Sequence, residues 1–290
     1  MVRGVERFQW LASQQLARSP TTLRRLGYLK GHKRLPRLRN PRTFTEKVQW
    51  RILYDRRELI RLTGDKMWMK AYTTKLNIHG LKIPVPIWAG TDLTDLREFE
   101  LPPRWVLKPN NRSGLVHIGT GAPSVSGLTT LTADWLTPFE WEHRREWAYR
   151  DARQMFIIEP FIGESSVPRD LKFYVFSGDV ALIQIDSGRF VHHERSFYSS
   201  DWTYLPISHG YPLAPPVQAP TSLGELLRIA GEIGAEFDFV RVDLYDTPSG
   251  IHFGELTPYP AGGVKPFQPR SFDFELGQRW RLPALEGSPN

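Results

Sequence analysis

Two acidic residues stand in a predicted β-hairpin near the carboxyl end of the chain, in the stretch RVDLYDTPSGIHFGELTPYPAGG, residues 241–263. Asp243 and Glu255 each lie among apolar residues that alternate as in strands, and the intervening DTPSG is rich in turn formers. If the two arms pair, the carboxylates can approach each other in an apolar setting, where both lose hydration and repel. A divalent cation would remove that cost. The alternative interpretation is two solvent-facing strand acids.

The composition indicates a globular protein of mixed helix and strand. At 290 residues the chain is long enough for a large core divided into two or three lobes. It contains no Cys, which excludes disulfides and thiolate metal sites. No apolar run reaches membrane-spanning length and the first residues lack a signal-peptide core, so we expect a cytoplasmic protein.

The positive charge is concentrated in the N-terminal arm. Residues 1–42 contain eleven Lys or Arg and one acid, a net charge of +10, whereas the whole chain carries +7 and the remainder therefore −3. Such an arm is suited to contact an anionic surface, for example lipid head groups or a phosphorylated carrier. A solvated helical face is the alternative. No nucleic-acid-binding signature accompanies the charge, so nucleic acid is not an expected partner.

Local patterns predict an α+β fold with several antiparallel hairpins. Thr43 and Glu46 form a capping-box pattern at the start of a helix. The stretch 82–90 reads as a strand and the Trp-rich stretch 130–150 as helix. A hairpin is expected to turn at Ser177–Gly178–Asp179.

Three lysines stand where an anion would explain them. Lys108 ends the apolar strand WVLKPNN, and the loop 110–114 that follows could present backbone N–H groups to phosphate oxygens. Lys66 opens a helix, and Lys172 lies between apolar strand residues. Taken singly, an exposed loop and exposed lysines explain these features equally well. Together with the hairpin acids they suggest a nucleoside triphosphate with Mg²⁺.

The stretch FIIEPFIGE suggests a place for the base and the sugar. Glu159 precedes a proline, and the exposed backbone beside it could meet an adenine edge. Glu164 could accept hydrogen bonds from ribose hydroxyls; a structural strand that ends in an acidic turn is the alternative. Arg241 shares a strand face with Asp243 and could hold an oxygen that becomes negative during acyl or phosphoryl transfer.

These motifs occur in the order GDK, VLKPNN, IIEPFIGE, RVDLY and GELTPYPAGG, which resembles the ATP-grasp superfamily. From about residue 40 the chain resembles the TupA-like ATP-grasp family, through NPRTFTEKVQWRILYDR, DLKFYVFSG and RFVHHERSFYSSDW. That family is associated with bacterial teichuronopeptide and capsular polysaccharide synthesis and with some natural-product peptide ligation. The resemblance implies two α+β lobes that clasp a nucleotide. It divides the chain into a basic helical region (1–60), an N-terminal lobe (61–156) and a C-terminal lobe with the hairpin (157–290).

The resemblance also implies a role for each motif residue. The lysines would hold phosphates, the loop would act as a small phosphate lid, and the hinge would frame adenine and ribose. The residues implied for this nucleotide site are Lys66, Lys108, Asn111, Ser113, Gly114, Glu159, Phe161, Ile162 and Glu164.

Metal and catalytic roles fall on the hairpin. Asp243 and Glu255 would bind Mg²⁺, and Thr257 stands where the family pattern has Asn, which puts a weaker ligand at the third metal position. Arg241 and Lys172 would be catalytic, the first at the oxyanion and the second beside the phosphates.

A donor-rich segment lies outside the general superfamily pattern. Arg189, His193 and Arg195 could bind an acceptor that carries a carboxylate or a sugar acid, and a charged surface loop is the alternative. Gly262 and Gly263 either allow a substrate carboxyl to approach the backbone or form a simple turn.

The resemblance implies an ATP-dependent ligase that joins a small carboxylate to an amine through an acyl phosphate, with ATP and Mg²⁺ as cofactors. Amino acids, peptides and uronic acids are the expected substrates. Two alternatives stay open. One is an ATP-grasp kinase that phosphorylates a small acceptor. The other is a nucleotide-binding partner of a polysaccharide assembly system without catalytic activity.

Overall fold

A computed structural model of the chain describes residues 19–163, 168–188 and 192–284. Glu164 and Arg189 lie outside the described residues, so their roles stay predictions. The described chain alternates helices with strands of two larger sheets and a two-stranded pair, as expected for an α+β fold. Among the described residues, no helix combines the length and apolar character needed to cross a bilayer.

Helices dominate the first part of the chain. They are α1 (Pro20–His32), α2 (Phe44–Tyr54), α3 (Glu58–Arg61) and α4 (Lys66–Lys75). The capping box of α2 is confirmed, because the Thr43 side chain accepts from the Glu46 N–H and the Glu46 carboxylate accepts from the Thr43 N–H at 3.2 Å. The buried Arg51 of α2 donates to the Phe239 carbonyl at 2.7 Å and thereby ties this region to the larger sheet.

The smaller sheet has four antiparallel strands in the order β2-β5-β3-β4. They are β2 (Trp88–Gly90), β3 (Arg104–Pro109), β4 (His117–Thr120) and β5 (Phe156–Pro160). Its buried face packs Trp105, Leu107 and Ile158 into a small core. Because side chains alternate along a strand, Lys108 and Glu159 lie on the opposite face.

The larger sheet has seven strands in the order β1-β12-β11-β6-β7-β8-β9, and its β1–β12 pair is parallel. They are β1 (Leu81–Lys82), β6 (Arg169–Phe176), β7 (Asp179–Ser187), β8 (Glu194–Tyr198), β9 (Tyr204–Leu205), β11 (Val240–Thr247) and β12 (Gly250–Thr257). The β6–β7 hairpin turns at Ser177 and Gly178, as predicted. Helix α7 (Leu223–Gly234) covers one face of the sheet, with Gly234 close against Val175. The buried residues of α7 and of the strands that it covers belong to the main apolar core.

Two predicted elements were wrong in extent. The predicted strand 82–90 is present only at its ends, because Pro84 and Pro86 lack the N–H that a ladder needs. The predicted helix 130–150 consists of short pieces that Pro138 interrupts. The remaining elements are α5 (Val125–Leu131), α6 (Phe139–Glu142), α8 (Arg270–Arg279) and the paired strands β10 (Ser208–His209) and β13 (Phe267–Gln268).

The division into lobes stays a prediction, and the sheets suggest an adjustment to it. The expected boundary at 156/157 falls within β5, which pairs with β2 and β3 of the smaller sheet. We propose that the first lobe extends through β5 to the hinge at Phe161–Gly163. Strand β1 precedes the smaller sheet in the chain but pairs with β12 of the larger one, so the two lobes are not simple successive segments.

Candidate active site

A β-bulge brings the two hairpin acids together. Asp243 on β11 is directly paired with Glu255 on β12, and the register shifts between Asp243 and Leu244, which leaves Gly254 as the extra residue. In a ladder without the bulge, Gly254 would pair with Asp243, and Glu255 would pair with Val242 on the buried apolar face of the sheet. A Cβ at position 254 would lie 2.8 Å from the Asp243 carbonyl oxygen, which explains the glycine at this position.

Positive side chains surround the two carboxylates. Arg241 donates to both oxygens of Asp243 at 2.7 Å and to Glu255 Oε1 at 3.2 Å, so its guanidinium bridges the pair. Lys172 Nζ lies 2.7 Å from Asp243 Oδ2 and also binds Asp170. Burial raises the pKa of Asp243 to about 6, although Arg241 and Lys172 oppose the shift. Lys172 is directly paired with Asp243 on the neighbouring strand and is buried, and its place beside the phosphates stays a prediction.

The hairpin oxygens fit a magnesium ion that arrives with phosphates. The Asp243 side chain is 2% exposed and that of Glu255 33%, so the second carboxylate is the one open to a ligand. Thr257 donates its hydroxyl to Glu255 Oε1 at 3.4 Å and completes a set of hard oxygen donors. Within the described ranges, no group of three or more His, Cys, Asp or Glu side chains forms a dedicated metal cage. The metal roles of these residues stay predictions.

A buried carboxylate holds two lysines on the open face of the smaller sheet. Glu159 lies 2.7 Å from Lys108 Nζ and 3.0 Å from Lys70 Nζ. Burial would raise the pKa of Glu159, but the two lysines outweigh it and hold that pKa below its usual range. The Glu159 carboxylate therefore anchors lysines, and the predicted place of this residue beside adenine stays a prediction. Lys70 was missed, although its position one helical turn after Lys66 was a usable signal.

Lys66 connects the helices to the loop that follows β3. Asp65 caps α4 and is bound by the Arg153 guanidinium at 2.7 and 2.8 Å, which fixes the start of the helix. From there the Lys66 ammonium donates to the Arg112 carbonyl. Burial lowers the pKa of Lys66 to about 8, and Glu255 is the charged group that opposes this shift most strongly. The charge of the predicted phosphate lysine is thus stabilised by that of the hairpin carboxylate Glu255.

The predicted phosphate lid already holds a carboxylate. The Ser113 N–H and hydroxyl each donate to Glu140 Oε1 at 3.2 Å. The Asn111 amide donates to the Leu136 carbonyl at 3.2 Å, and Gly114 adopts φ +77° with open space around it. The loop residues predicted from the sequence lie together, and Glu140 is a partner that the sequence did not reveal. The loop's ability to hold an oxyanion is visible in this contact.

A pocket of about 320 Å³ lies at the hinge. Phe161 and Ile162 line it, together with Pro84 from the β1–β2 connection and His252 from the hairpin. The Phe161 ring stacks 3.8 Å beneath the Arg104 guanidinium, and its N–H donates to the Arg104 carbonyl at 3.2 Å. The two predicted hinge residues therefore lie together at an apolar pocket of the size that a nucleobase needs.

A second, basic pocket of about 500 Å³ adjoins the hairpin. Arg241 lines it together with Arg195 and Gly262, two residues predicted to contact substrate. Its wall also includes Arg24 from α1 and the buried Glu146. The contribution of α1 was missed, because no local pattern links a helix at residues 20–32 with a turn at residue 262.

The two glycines of the predicted turn are required by backbone conformation and by close contact. Gly262 and Gly263 have φ values of +57° and +63°. A Cβ on Gly262 would lie 2.7 Å from Glu146 Oε1, and one on Gly263 would lie 2.7 Å from Gln49 Nε2. The Gly262 carbonyl accepts from Gln49 at 2.7 Å and from Arg24. Gly262 lines the basic pocket, whereas Gly263 packs behind it.

A polar network covers the sheet face beside this pocket. Asp186 accepts from Arg195 at 2.6 Å and lies 3.3 Å from His193, so these two predicted residues share one carboxylate. Although burial opposes the shift, Arg195 holds the pKa of Asp186 well below its usual range. Gln184 donates to Asp186 at 3.0 Å and accepts from Tyr174 at 2.9 Å. The network orients Arg195 towards the pocket.

Comparison with known families identifies the chain. A family model described as TupA-like ATPgrasp matches residues 46–281. The chain belongs to the TupA-like ATP-grasp family. This match covers both sheets, the hinge and the hairpin, and it confirms the resemblance and the α+β ATP-grasp fold predicted from the sequence. No curated protein matches the chain.

Several solved ligase structures are distantly similar to this family member. D-alanine–D-alanine ligase from Bacillus anthracis, complexed with ATP, is 17% identical with a TM-score of 0.38, over 68% of this chain and 54% of that one. L-amino acid ligase from Bacillus licheniformis is 15% identical with a TM-score of 0.43, over 70% and 42%. D-alanine–D-alanine ligase from Helicobacter pylori is 16% identical with a TM-score of 0.43, over 77% and 62%. The chain thus spans about half the length of the first ligase.

Proposed function

We propose that this protein is an ATP-dependent carboxylate–amine ligase that forms an amide bond through an acyl phosphate. One observation carries the proposal beyond family membership. The Arg241 guanidinium touches both hairpin carboxylates and also lines the basic pocket. The side of the site suited to phosphates and the side suited to an organic acid therefore meet at one residue, where the acyl group would be transferred.

The nucleotide would extend from the hinge pocket towards the hairpin acids. Adenine would occupy the hinge pocket at Phe161 and Ile162, and the phosphates would extend towards Lys108 and Lys66. Magnesium, held by the hairpin carboxylates and the phosphates, would offset the charge that keeps a carboxylate from the γ-phosphate. Lys172, paired with Asp243 on the neighbouring strand, would fix the position of the Asp243 carboxylate.

The basic pocket would receive the acid and the amine. Its many cationic side chains favour an anionic acid, and Glu146 is the single carboxylate among the described residues that line it. Burial raises the pKa of Glu146 to about 7, so near neutral pH it can take a proton from an ammonium group. A carboxylate oxygen of the bound acid substrate would attack the γ-phosphorus of ATP and release ADP. The amine would then attack the acyl carbon, Arg241 would stabilise the oxyanion, and phosphate would leave.

The biological setting is part of this proposal and rests on the family alone. Polysaccharide or natural-product peptide synthesis in the cytoplasm, where ATP is supplied, is the setting we propose. Small amino acids, peptides and uronic acids are the proposed substrates, and an anionic surface or carrier is the proposed partner of the basic arm.

The test measures ADP and phosphate release from Mg·ATP across a panel of amino acids and uronic acids. Glu255→Gln removes the carboxylate that is open to a ligand, and Glu275→Gln, on an exposed face of α8, is the matched control. We expect release that requires both an acid and an amine, that is lost in Glu255→Gln and that is retained in Glu275→Gln. A phosphorylated acceptor without free phosphate would establish the kinase instead. Absence of ATP binding would overturn the nucleotide site itself.

A further inference from the structure

A further basic pocket, of about 530 Å³, shares no lining residue with the basic pocket of the proposed ligase site. Helix α1 contributes to both sites through neighbouring residues, Arg24 in the first pocket and Arg25 in the second. We call the second one the arginine pocket. Its lining residues are Arg25, Arg37, Leu38, Arg39, Asn40, Arg42 and Tyr54.

The arginine pocket concentrates positive charge without an internal counter-charge. Four of its seven described lining residues are arginines, and none is acidic. Several other arginines of the described residues are paired, as Arg57 is with Asp55 and Asp238 at 2.6 Å. In the part of the chain that the structure describes, the four pocket guanidiniums form no ion pair with a carboxylate. Four like charges around one concavity repel each other, and a bound anion would relieve that repulsion.

The loop that carries three of these arginines is held in place from inside. The buried Glu46 carboxylate accepts from the Arg37 N–H at 3.2 Å and from the Arg42 N–H at 3.0 Å, and it also binds Arg34. One carboxylate therefore fixes both ends of the loop through backbone N–H groups, and the guanidinium that it binds belongs to Arg34, which does not line the pocket. Between these ends Leu38 is 4% exposed and anchors the middle. The guanidiniums are thus displayed on a fixed backbone.

We propose that the arginine pocket binds a diphosphate ester. A guanidinium offers a planar fork that matches two phosphate oxygens, and four forks exceed the need of a single phosphate. Tyr54, which is half-buried, adds apolar surface for the organic part of the ligand. A soluble diphosphate and a diphosphate head group on a lipid share this chemistry. The inference does not depend on the ligase reaction, because the two pockets share no lining residue.

The decisive experiment is a calorimetric titration of the full chain with inorganic pyrophosphate in the absence of ATP. The test variant is the double substitution Arg37→Gln with Arg39→Gln. The control is Arg97→Gln with Arg281→Gln, two exposed arginines that lie outside the pocket and give the same change in net charge. We expect pyrophosphate binding that weakens at least about tenfold in the test variant and stays within about twofold in the control. Binding should also weaken with added salt.

Unchanged binding in the test variant, or equal loss in both variants, would overturn the proposal. The test arginines are exposed, so we expect the thermal unfolding midpoint to be kept or raised as repulsion is removed. Replacement of the same two arginines by lysine keeps the charge and removes the fork. Intermediate binding in that variant supports bidentate recognition, and full binding would contradict it.

A second arm identifies the source of the ligand. Sedimentation with phosphatidylcholine vesicles that contain a lipid diphosphate, competed by pyrophosphate, shows whether the head group binds at this pocket. Vesicle binding that is lost in the test variant supports a lipid source, and pyrophosphate binding without vesicle binding supports a soluble one. Retention of a single-stranded oligonucleotide that pyrophosphate does not displace would overturn the assignment in favour of nucleic acid.

Discussion

The ammonium of Lys108 lies 2.7 Å from the carboxylate of Glu159 on the neighbouring strand, and both point away from the small core. Lys70 approaches the other oxygen of Glu159 at 3.0 Å. A lysine held in this way keeps few of its side-chain conformations, so its charge is in place before a nucleotide arrives. Lys108, which the sequence assigned to phosphate, is thereby preorganised by Glu159, which the sequence assigned to adenine.

Replacement of Glu159 by Gln should be strongly destabilising. The change leaves the buried Lys70 ammonium without its carboxylate, and breaking a buried ion pair costs about 3 to 5 kcal/mol. Urea denaturation measures the loss. The control is Glu58→Gln, whose ion pair with Arg61 is exposed and should cost about 1 kcal/mol or less. Equal losses in the two variants would show that the buried pair contributes no more than a surface pair.

Magnesium binding should depend on pH through Asp243. The pKa of this acid in the folded chain is raised to about 6, so below that value the protonated form predominates and cannot bind a cation. We expect the Mg²⁺ affinity of the ADP-bound protein to fall roughly tenfold per pH unit below about 6 and to level off above about 7. Calorimetry of Mg²⁺ binding across this range is the measurement.

The raised pKa of Asp243 also makes the stability of the folded chain depend on pH. Asp243 binds its proton more tightly in the folded chain than in the unfolded chain. Its contribution to stability therefore decreases as pH rises from the ordinary pKa of an Asp side chain towards about 6.

Lys172→Met removes a charge that lowers the pKa of Asp243, so the fall in Mg²⁺ affinity should move to higher pH. An affinity that stays constant from about pH 5 to about pH 8 would contradict the assignment of Asp243 as a ligand.

Glu146→Gln should impair use of the amine and leave nucleotide binding intact. Loss of a charge-assisted contact to the ammonium is worth about 1.5 to 3 kcal/mol, or roughly a tenfold to hundredfold rise in the KM for the amine. Glu142→Gln, an exposed neighbour, is the control. In the unmodified protein the amine-dependent rate should rise as pH increases through about 7, where Glu146 loses its proton. Persistence of that rise in Glu146→Gln would assign the base to another group.

Alanine substitutions at two glycines with similar backbone angles separate the cost of backbone conformation from the cost of steric contact. Gly262 and Gly121 have φ values of +57° and +63°, but a Cβ would lie 2.7 Å from Glu146 Oε1 at the first and meet open space at the second. Alanine at Gly121 should cost about 1 to 2 kcal/mol from the left-handed backbone alone. At Gly262 we expect a larger loss, measured by urea denaturation. Equal losses would show that the Glu146 side chain moves aside at no cost.

Sequence reasoning predicted those parts of the site that depend on local pattern. The alternation around Asp243 and Glu255, with DTPSG between them, predicted the hairpin, and the structure pairs these two residues directly. The capping box at Thr43 was likewise predicted, because both of its partners lie within one helical turn. Motif order then predicted the family, which the match over residues 46–281 confirms.

The remainder depended on contacts between distant segments. The position of Glu159 depends on the register of β3 against β5, which no periodicity within either strand determines. The contact of Arg24 with the Gly262 carbonyl joins residues at opposite ends of the chain. Propensity and spacing describe neighbours along a helix or a strand, so the wall that α1 contributes to the basic pocket was not predictable from them.

The bulge at Gly254 makes the hairpin sensitive to the count of its residues rather than to their kind. An antiparallel ladder sorts side chains by odd and even position, and one inserted residue exchanges the two classes beyond it. If Gly254 instead took a regular place in the ladder opposite Asp243, every acid would stay in the sequence and Glu255 would still be directed into the apolar layer beside Val242. No substitution at position 255 would restore the pair in that register, whereas removal of the one residue between Phe253 and Glu255 would. In this hairpin the register of the strand, as much as the identity of its residues, determines whether the two acids meet.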